Sequence, residues 1–101
     1  MKKSGPKYND LDPILNNQIR LTVISILVKM KQADFNYLKE RTNANQGNLS
    51  HQLKKLSEAD YITIQKSFYN NYPKTTCKLT QTGLKAFETY VENIKNYLYL
   101  K

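Results

Sequence analysis

The spacing of apolar residues changes twice along this chain, and this change constrains the fold more than any other feature. Up to about residue 59 the apolar residues recur every three to four positions, which predicts helices. Between Tyr61 and Leu79 they alternate, as in half-buried strands, and from Gln81 onward the helical spacing returns. The sequence therefore predicts an α+β domain with three helices, a two-stranded hairpin and a longer fourth helix.

Capping side chains mark where the four helices begin. Asp, Asn and Thr oxygens accept hydrogen bonds from the first free N–H groups of a helix, and Pro is tolerated at its first position. The predicted helices cover about 12–31, 35–41, 46–59 and 81–100, and their caps are Asp12 (followed by Pro13), Asp34, Asn45 and Thr80. The first helix is apolar on two faces, so we expect one face to meet a partner subunit.

The hairpin is predicted over 61–79, with its turn at 70–73. In its first strand Ile62, Ile64 and Phe68 share one face, while Asn and Pro residues provide the turn chemistry. A hairpin of two strands is marginally stable by itself. We therefore expect it to lean on the helices.

The last helix carries a heptad seam. Its apolar residues are separated by alternating steps of three and four, a mean spacing of 3.5 over fourteen residues. Because two heptads are short, the stripe either packs on its own domain or contacts a second copy of the chain. Tyr90 and Tyr97 make the apolar surface wider, which favours a partner. The predicted homodimer interface comprises Leu15, Ile19, Val23, Leu84, Phe87, Val91, Ile94, Tyr97 and Leu98.

Sixteen Lys and Arg against eight Asp and Glu give a net charge of +8. This excess points to a polyanionic partner, with nucleic acid the first candidate and an anionic membrane surface the second. The longest apolar run, Val23–Val28, is broken only by Ser25 and is far shorter than the ~20 residues of a membrane span. The start resembles no secretory signal, and a single Cys indicates a reducing compartment. We expect a cytoplasmic protein with a flexible basic arm at 1–11 and the folded domain at 12–101.

The residues needed for catalysis or metal binding are missing from the pattern. One Cys and one His cannot form a Cys/His zinc site. Three glycines form no phosphate-binding loop, and no nucleophile–base–acid set is visible. We therefore expect no enzyme, no cofactor and no metal.

The third helix separates a narrow apolar stripe from a polar, basic side, and is the candidate recognition helix. A major groove about 12 Å wide admits one α-helix. Amide and hydroxyl groups at the start of the helix match base edges, and lysines further along reach phosphates, as hairpin lysines are expected to do. The predicted DNA-binding residues are Asn45, Gln46, Gly47, Asn48, Ser50, His51, Lys54, Lys55, Lys66, Tyr72, Lys74 and Lys78.

Some of these residues, and two others in the hairpin, have more than one interpretation. His51 fits a DNA contact, a pH switch or a solvated surface residue. Tyr69 and Tyr72 at the hairpin tip fit either a minor groove or packing. Cys77 fits a redox sensor or, better, a small buried side chain. Gly47 allows close approach of the backbone to DNA.

The run 45–62 resembles the recognition-helix segment of small winged-helix transcriptional regulators. Its Gly47-Asn48-Leu49-Ser50 and Glu58-Ala59-Asp60-Tyr61-Ile62 are similar to the G-N-L-S and E-A-G-Y-[IV] elements of that family. Leu79-Thr80-Gln81-Thr82-Gly83 is similar to the L-T-x-x-G that follows the wing. The resemblance covers about 12–98 and is greatest to the small stand-alone group near the MarR and ArsR regulators of archaea and bacteria. It departs from the pattern where Asp60 replaces Gly and where Gln52-Leu53 replaces His-Leu.

The resemblance implies a winged helix-turn-helix that binds double-stranded DNA as a homodimer. It gives no support for metal sensing, because the Cys pairs or His/Asp clusters of metal-sensing regulators are missing. We expect a sequence-specific regulator of transcription with two recognition helices in successive major grooves, about 34 Å apart. The alternatives are a winged-helix protein-interaction or basal-machinery module and a non-specific chromatin-type DNA binder. A small-molecule effector stays open.

Overall fold

The computed structural model describes Tyr8 and residues 10–99. Within them the elements follow in the order α1 (Gln18–Met30), β1 (Gln32–Asp34), α2 (Phe35–Thr42), α3 (Gln46–Glu58), β2 (Ile62–Tyr69), β3 (Tyr72–Leu79) and α4 (Gln81–Leu98). The predicted α+β order of three helices, hairpin wing and long last helix is confirmed. The structure adds one short strand.

The added strand, β1, makes the wing part of a three-stranded antiparallel sheet in the order β1-β3-β2. Cys77 in the central strand pairs with Ala33 on one side and Ile64 on the other. Three residues are too few to show an alternating pattern, so β1 could not be recognised in the sequence. Because β1 joins α1 to α2, the sheet ties the wing to the helices.

The first helix begins later than predicted, at Gln18 instead of Asp12-Pro13. Asn17 is the N-cap, and its side chain accepts the Arg20 N–H at 3.0 Å. Asp12 instead stabilises a preceding turn, in which its carboxylate accepts the Ile14 N–H at 2.8 Å. The prediction was wrong because a cap can serve an isolated turn as well as a helix.

The core lies between the helices and the inner face of the sheet. Leu15 and Val23 have no exposed surface there, so the prediction that they form a dimer interface is wrong: each is enclosed by its own subunit. Ile19 is partly buried against the same cluster. The fully or nearly fully buried members are Leu15, Val23, Ile24, Leu27, Ala33, Leu38, Leu49, Leu53, Leu56, Ile62, Cys77 and Tyr90.

The wing turns through two residues, Asn70 and Asn71, and not through the four predicted. Both have left-handed backbones, with φ of 50° and 68°, which suits a two-residue hairpin turn and the residue type Asn. Tyr72 and Pro73 belong to β3 and pair with Tyr69 and Phe68. A Pro is tolerated there because β1 pairs with β3 only further along, at 76–78.

The segment before α1 lies against α4. The Tyr90 hydroxyl donates to the Asn16 side chain at 3.3 Å, and the Asn93 side-chain amide donates to the Asp10 carbonyl at 3.4 Å. The ring of Tyr8 lies 4.8 Å from that of Tyr97. The predicted arm at 1–11 falls mostly outside the described residues, and its described members contact α4 or the core.

Candidate nucleic-acid interface

The recognition helix α3 has one buried side and one exposed side, as predicted. Leu49, Leu53 and Leu56 are at most 2 % exposed and fasten the helix to the core. The opposite side is exposed and carries Gln46, Gly47, Asn48, Ser50, His51, Lys54 and Lys55. The apolar stripe therefore fixes which side of the helix a ligand can meet.

The start of α3 is capped by Asn45. Its side-chain oxygen accepts the Asn48 N–H at 2.8 Å, so that oxygen is already engaged in holding the helix. Among the described residues, packing does not require a glycine at position 47, since the nearest atom that a Cβ there would meet outside its chain neighbours and its own helix backbone is the Asn45 side-chain oxygen at 3.8 Å. The glycine leaves the backbone of the first turn open from outside.

A chain of side-chain hydrogen bonds links α3 to α1. The Gln52 amide nitrogen donates to the Asn48 side-chain oxygen at 3.0 Å, and the Gln52 oxygen accepts from the Arg20 guanidinium. The sequence pattern singled out Gln52 only as a departure from the family. The four-residue spacing within α3 could have indicated the first contact, whereas the second joins residues 32 positions apart.

A groove of about 580 Å³ runs between α3 and the inner face of the sheet. Phe35, Leu53 and Ile64 contribute apolar surface to it, and Lys54 and Lys66 contribute charge from the two sides. Its further lining residues are Gln46, Ser50, Ser57, Glu58 and Thr75. Lys66 therefore belongs to the same surface as the recognition helix.

The three hairpin lysines do not form one set. Lys74 and Lys78 pair with Ser67 and Thr63, so their register places them on the sheet face opposite Lys66. Lys74 lies near the tip, with its ammonium 5.9 Å from the centre of the Tyr69 ring. Lys78 lies at the base of the wing beside Gln32 of β1.

The wing tip exposes three aromatic side chains, Phe68, Tyr69 and Tyr72, each at least 68 % accessible. From 61 to 79 the sequence contains no acidic residue. The tip therefore combines aromatic surface with a positive field, which suits an anionic, stackable partner.

Cys77, in the wing strand β3, is fully buried in the core. Burial raises the pKa of its thiol to about 11. Since the thiolate is the reactive form, a thiol kept neutral at pH 7 is poorly suited to redox sensing. The structure favours the packing interpretation of this residue.

Within the described part of the chain, Tyr8 and 10–99, no three His, Cys, Asp or Glu residues are grouped so as to hold a metal ion. The helices in the same residues include none with the length and apolarity to cross a membrane.

A recognition helix with an exposed polar side, set beside a hairpin wing, defines a winged-helix DNA-binding domain. A family model described as a winged helix DNA-binding domain matches residues 19–98. The chain belongs to this family.

Individual proteins are also similar to this chain in sequence or in fold. The chain is 38% identical over 81 residues to an uncharacterised protein of Methanocaldococcus jannaschii, covering 80% of this chain and 88% of that protein. A transcriptional regulator homologue from Pyrococcus horikoshii OT3 has the same fold, with a TM-score of 0.78, 21% identity and 84% of each chain covered. NadR in complex with 4-hydroxyphenylacetate aligns with a TM-score of 0.69 and 23% identity, over 85% of this chain and 63% of NadR.

Proposed function

We propose that the protein is a sequence-specific transcriptional regulator that binds double-stranded DNA as a homodimer and catalyses no reaction. The observation that carries the proposal is the division of α3, in which three leucines are buried and every predicted base- or phosphate-contacting side chain is exposed. A helix held so firmly on one side presents the other side in a fixed orientation. We propose that the protein acts in the cytoplasm and that its function requires no metal or cofactor.

The two ends of the exposed side have different tasks. Gln46, Asn48 and Ser50 lie in the first turns, where a recognition helix meets base edges, and amide groups match the donor and acceptor atoms of adenine. Lys54 and Lys55 follow one to two turns later and are placed for phosphates, which position the protein without reading sequence. Lys66 supplies a cation from the wing side of the same groove.

The second copy is expected on α4. Phe87 and Ile94 of the heptad seam pack against the subunit's own core, whereas Leu84, Val91 and Leu98 lie outside the described core cluster. Each of these residues is seven positions from the next, so they form a stripe along α4 against which the α4 of a second copy can pack. Two-fold symmetry would place two recognition helices about 34 Å apart on a pseudo-palindrome. The NadR complex motivates a small aromatic acid as the first effector to test.

Selection of bound sequences from a random duplex pool tests the proposal. We expect an enriched pseudo-palindrome, and loss of about 1–3 kcal/mol of binding free energy on that site for Gln46→Ala. Gln81→Ala, at the start of α4, is the matched control and should bind like the parent protein. Equal losses for Gln46→Ala on the selected site and on a scrambled duplex would contradict base reading by α3.

The same experiment separates the alternatives. Tight binding without an enriched sequence would identify a non-specific, chromatin-type DNA binder. No binding to any duplex would leave the fold as a protein-interaction module, for which the exposed aromatic tip of the wing would be the contact surface.

A further inference from the structure

Asn48 and Gln52 occupy successive turns of α3, and Arg20 reaches them from α1. The Gln52 amide nitrogen donates to the Asn48 oxygen at 3.0 Å, and Arg20 donates to the Gln52 oxygen. Arg20 is itself held, since its Nε donates to the Ile14 carbonyl at 2.6 Å. Arg20 and Gln52 are partly buried and Asn48 is exposed. The chain of contacts thus runs from inside the domain to the DNA-facing surface.

The direction of every hydrogen bond in this chain is fixed by Arg20. A guanidinium group only donates, so the atom of Gln52 that faces it must be the oxygen. The amide nitrogen of Gln52 then faces Asn48, and the atom of Asn48 that accepts from it must be the oxygen. The nitrogen of the Asn48 amide, which diverges from its oxygen, is left facing away from Gln52 as a donor.

The backbone N–H of Asn48 does not compete with Gln52 for the Asn48 side-chain oxygen. The Asn48 N–H is taken by the Asn45 side chain at 2.8 Å. Among the described contacts the side-chain amide of Asn48 therefore has one partner, Gln52, which is bonded to its oxygen. The amide nitrogen is left as a donor on an exposed side chain.

We infer that Arg20 and Gln52 are positioning residues that present Asn48 to DNA as a hydrogen-bond donor and thereby set its base preference. The inference rests on the proposed function. In the major groove guanine, thymine and adenine each offer an acceptor, whereas cytosine offers only its N4 donor. The base pair that Asn48 meets should therefore exclude cytosine on the contacted strand.

Gln52→Glu is the most selective test. A carboxylate still accepts from Arg20 but can only accept at Asn48, so the Asn48 amide turns its nitrogen toward the new carboxylate and its oxygen toward DNA while the contact with α1 stays. The added negative charge weakens binding to all duplexes alike, so the measured quantity is the ratio of affinities for the selected site and its single-base variants. Gln18→Glu, an exposed position on α1, makes the same charge change outside this chain of contacts.

We expect Asn48→Ala to reduce discrimination against cytosine at one base position by about 5- to 150-fold. Gln52→Glu and Arg20→Met should reduce it several-fold at that same position and leave the other positions unchanged. Arg20→Lys keeps a donor-only cation and should retain most of the discrimination. The double variant Asn48→Ala/Gln52→Glu should lose no more than Asn48→Ala, because the two residues act as one unit.

The outcomes separate this inference from the proposed function. If Asn48→Ala changes the preference at no position, α3 does not read bases through Asn48 and this inference fails, whereas the proposed function is decided by the selected site and Gln46→Ala. If Asn48→Ala relaxes one position while Gln52→Glu and Arg20→Met keep full discrimination there, the positioning role is overturned and the proposed function stands. Thermal unfolding of each variant checks the fold, and Gln52→Glu decides the question where Arg20→Met unfolds.

Discussion

The hydroxyl of Thr80 donates a 2.7 Å hydrogen bond to the carbonyl of Asp60. This bond joins the residue directly after the wing to a residue two positions before it. The same hydroxyl accepts the Gly83 N–H at 2.9 Å and so caps α4. Asp60 has a left-handed backbone with φ of 68°, at the position where the family pattern has Gly. The Leu-Thr-x-x-Gly motif therefore closes the base of the wing and starts α4 in one step.

Gly83→Ala is expected to destabilise the fold. A Cβ at this position would lie 2.2 Å from the Tyr61 carbonyl oxygen, a backbone atom that cannot move without opening the base of the wing. Overpacking of this kind costs about 1–3 kcal/mol. Urea denaturation monitored by circular dichroism measures the loss of unfolding free energy.

Gly47→Ala is the matched control, since a Cβ there meets nothing closer than 3.8 Å. Ala is a better helix residue than Gly by about 0.5–1 kcal/mol, so this variant should be as stable as the parent or more stable. Unfolding free energies that fall equally for both variants would refute the contact assigned to Gly83.

Helix positions were predictable because each helix combines a cap with an apolar stripe. Asp34, Asn45 and Thr80 are the observed caps, with helix starts as predicted. The prediction for Asp12 was wrong because its carboxylate caps a turn that precedes the helix, whereas the observed N-cap of α1 is Asn17. The interface prediction failed at Val23 because a helix that is apolar on two faces can bury both faces within its own domain, and at Leu15 because the turn before α1 folds into the same core.

The exposed side of α3 was predictable, and its supporting contacts were not. Burial of Leu49, Leu53 and Leu56 determines which residues of the helix remain outside. The role of Arg20 depends on how α1 crosses α3, which no local pattern records. Alternation along the strands places Lys66 and Lys78 on opposite faces of the sheet. Alternation alone does not show which of these faces the helices cover.

Ionisation of Cys77 should lower stability at high pH. Its pKa is raised to about 11 in the folded protein from an ordinary value of 9.0, so the native state keeps its proton where the unfolded chain loses it. The contribution is complete below pH 9 and is lost between pH 9 and 11, at about 1.4 kcal/mol per pH unit. Unfolding free energies across this range, compared with those of Cys77→Ala, isolate the thiol. Identical pH profiles for the two proteins would show that the native thiol ionises normally.

Dimerisation is expected to depend on the outer stripe of α4. Val91→Lys/Leu98→Lys places charges on two residues outside the described core cluster, so the subunit should fold and run as a monomer in light scattering after gel filtration. Thr82→Lys/Thr89→Lys introduces the same charges at the same spacing on exposed positions of α4, and should leave a dimer. A parent protein with the mass of one chain would defeat the prediction.

Lys66 and Lys78, which lie on opposite faces of the sheet, should differ in their effect on the salt dependence of DNA binding. Lys66 lines the groove beside α3, where a DNA backbone following the recognition helix would pass. Each phosphate neutralised on duplex DNA contributes a slope of about −0.9 to the dependence of log affinity on log salt.

Lys66→Ala should therefore weaken binding to all duplexes alike and make the slope shallower by about one unit. Lys78→Ala removes the same charge from the opposite face of the sheet, beside Gln32. It should weaken binding but change the salt slope by less than Lys66→Ala does. Titrations of the selected and scrambled duplexes at several salt concentrations give both slopes. A larger slope change for Lys78→Ala than for Lys66→Ala would mean that DNA runs along the other face of the wing.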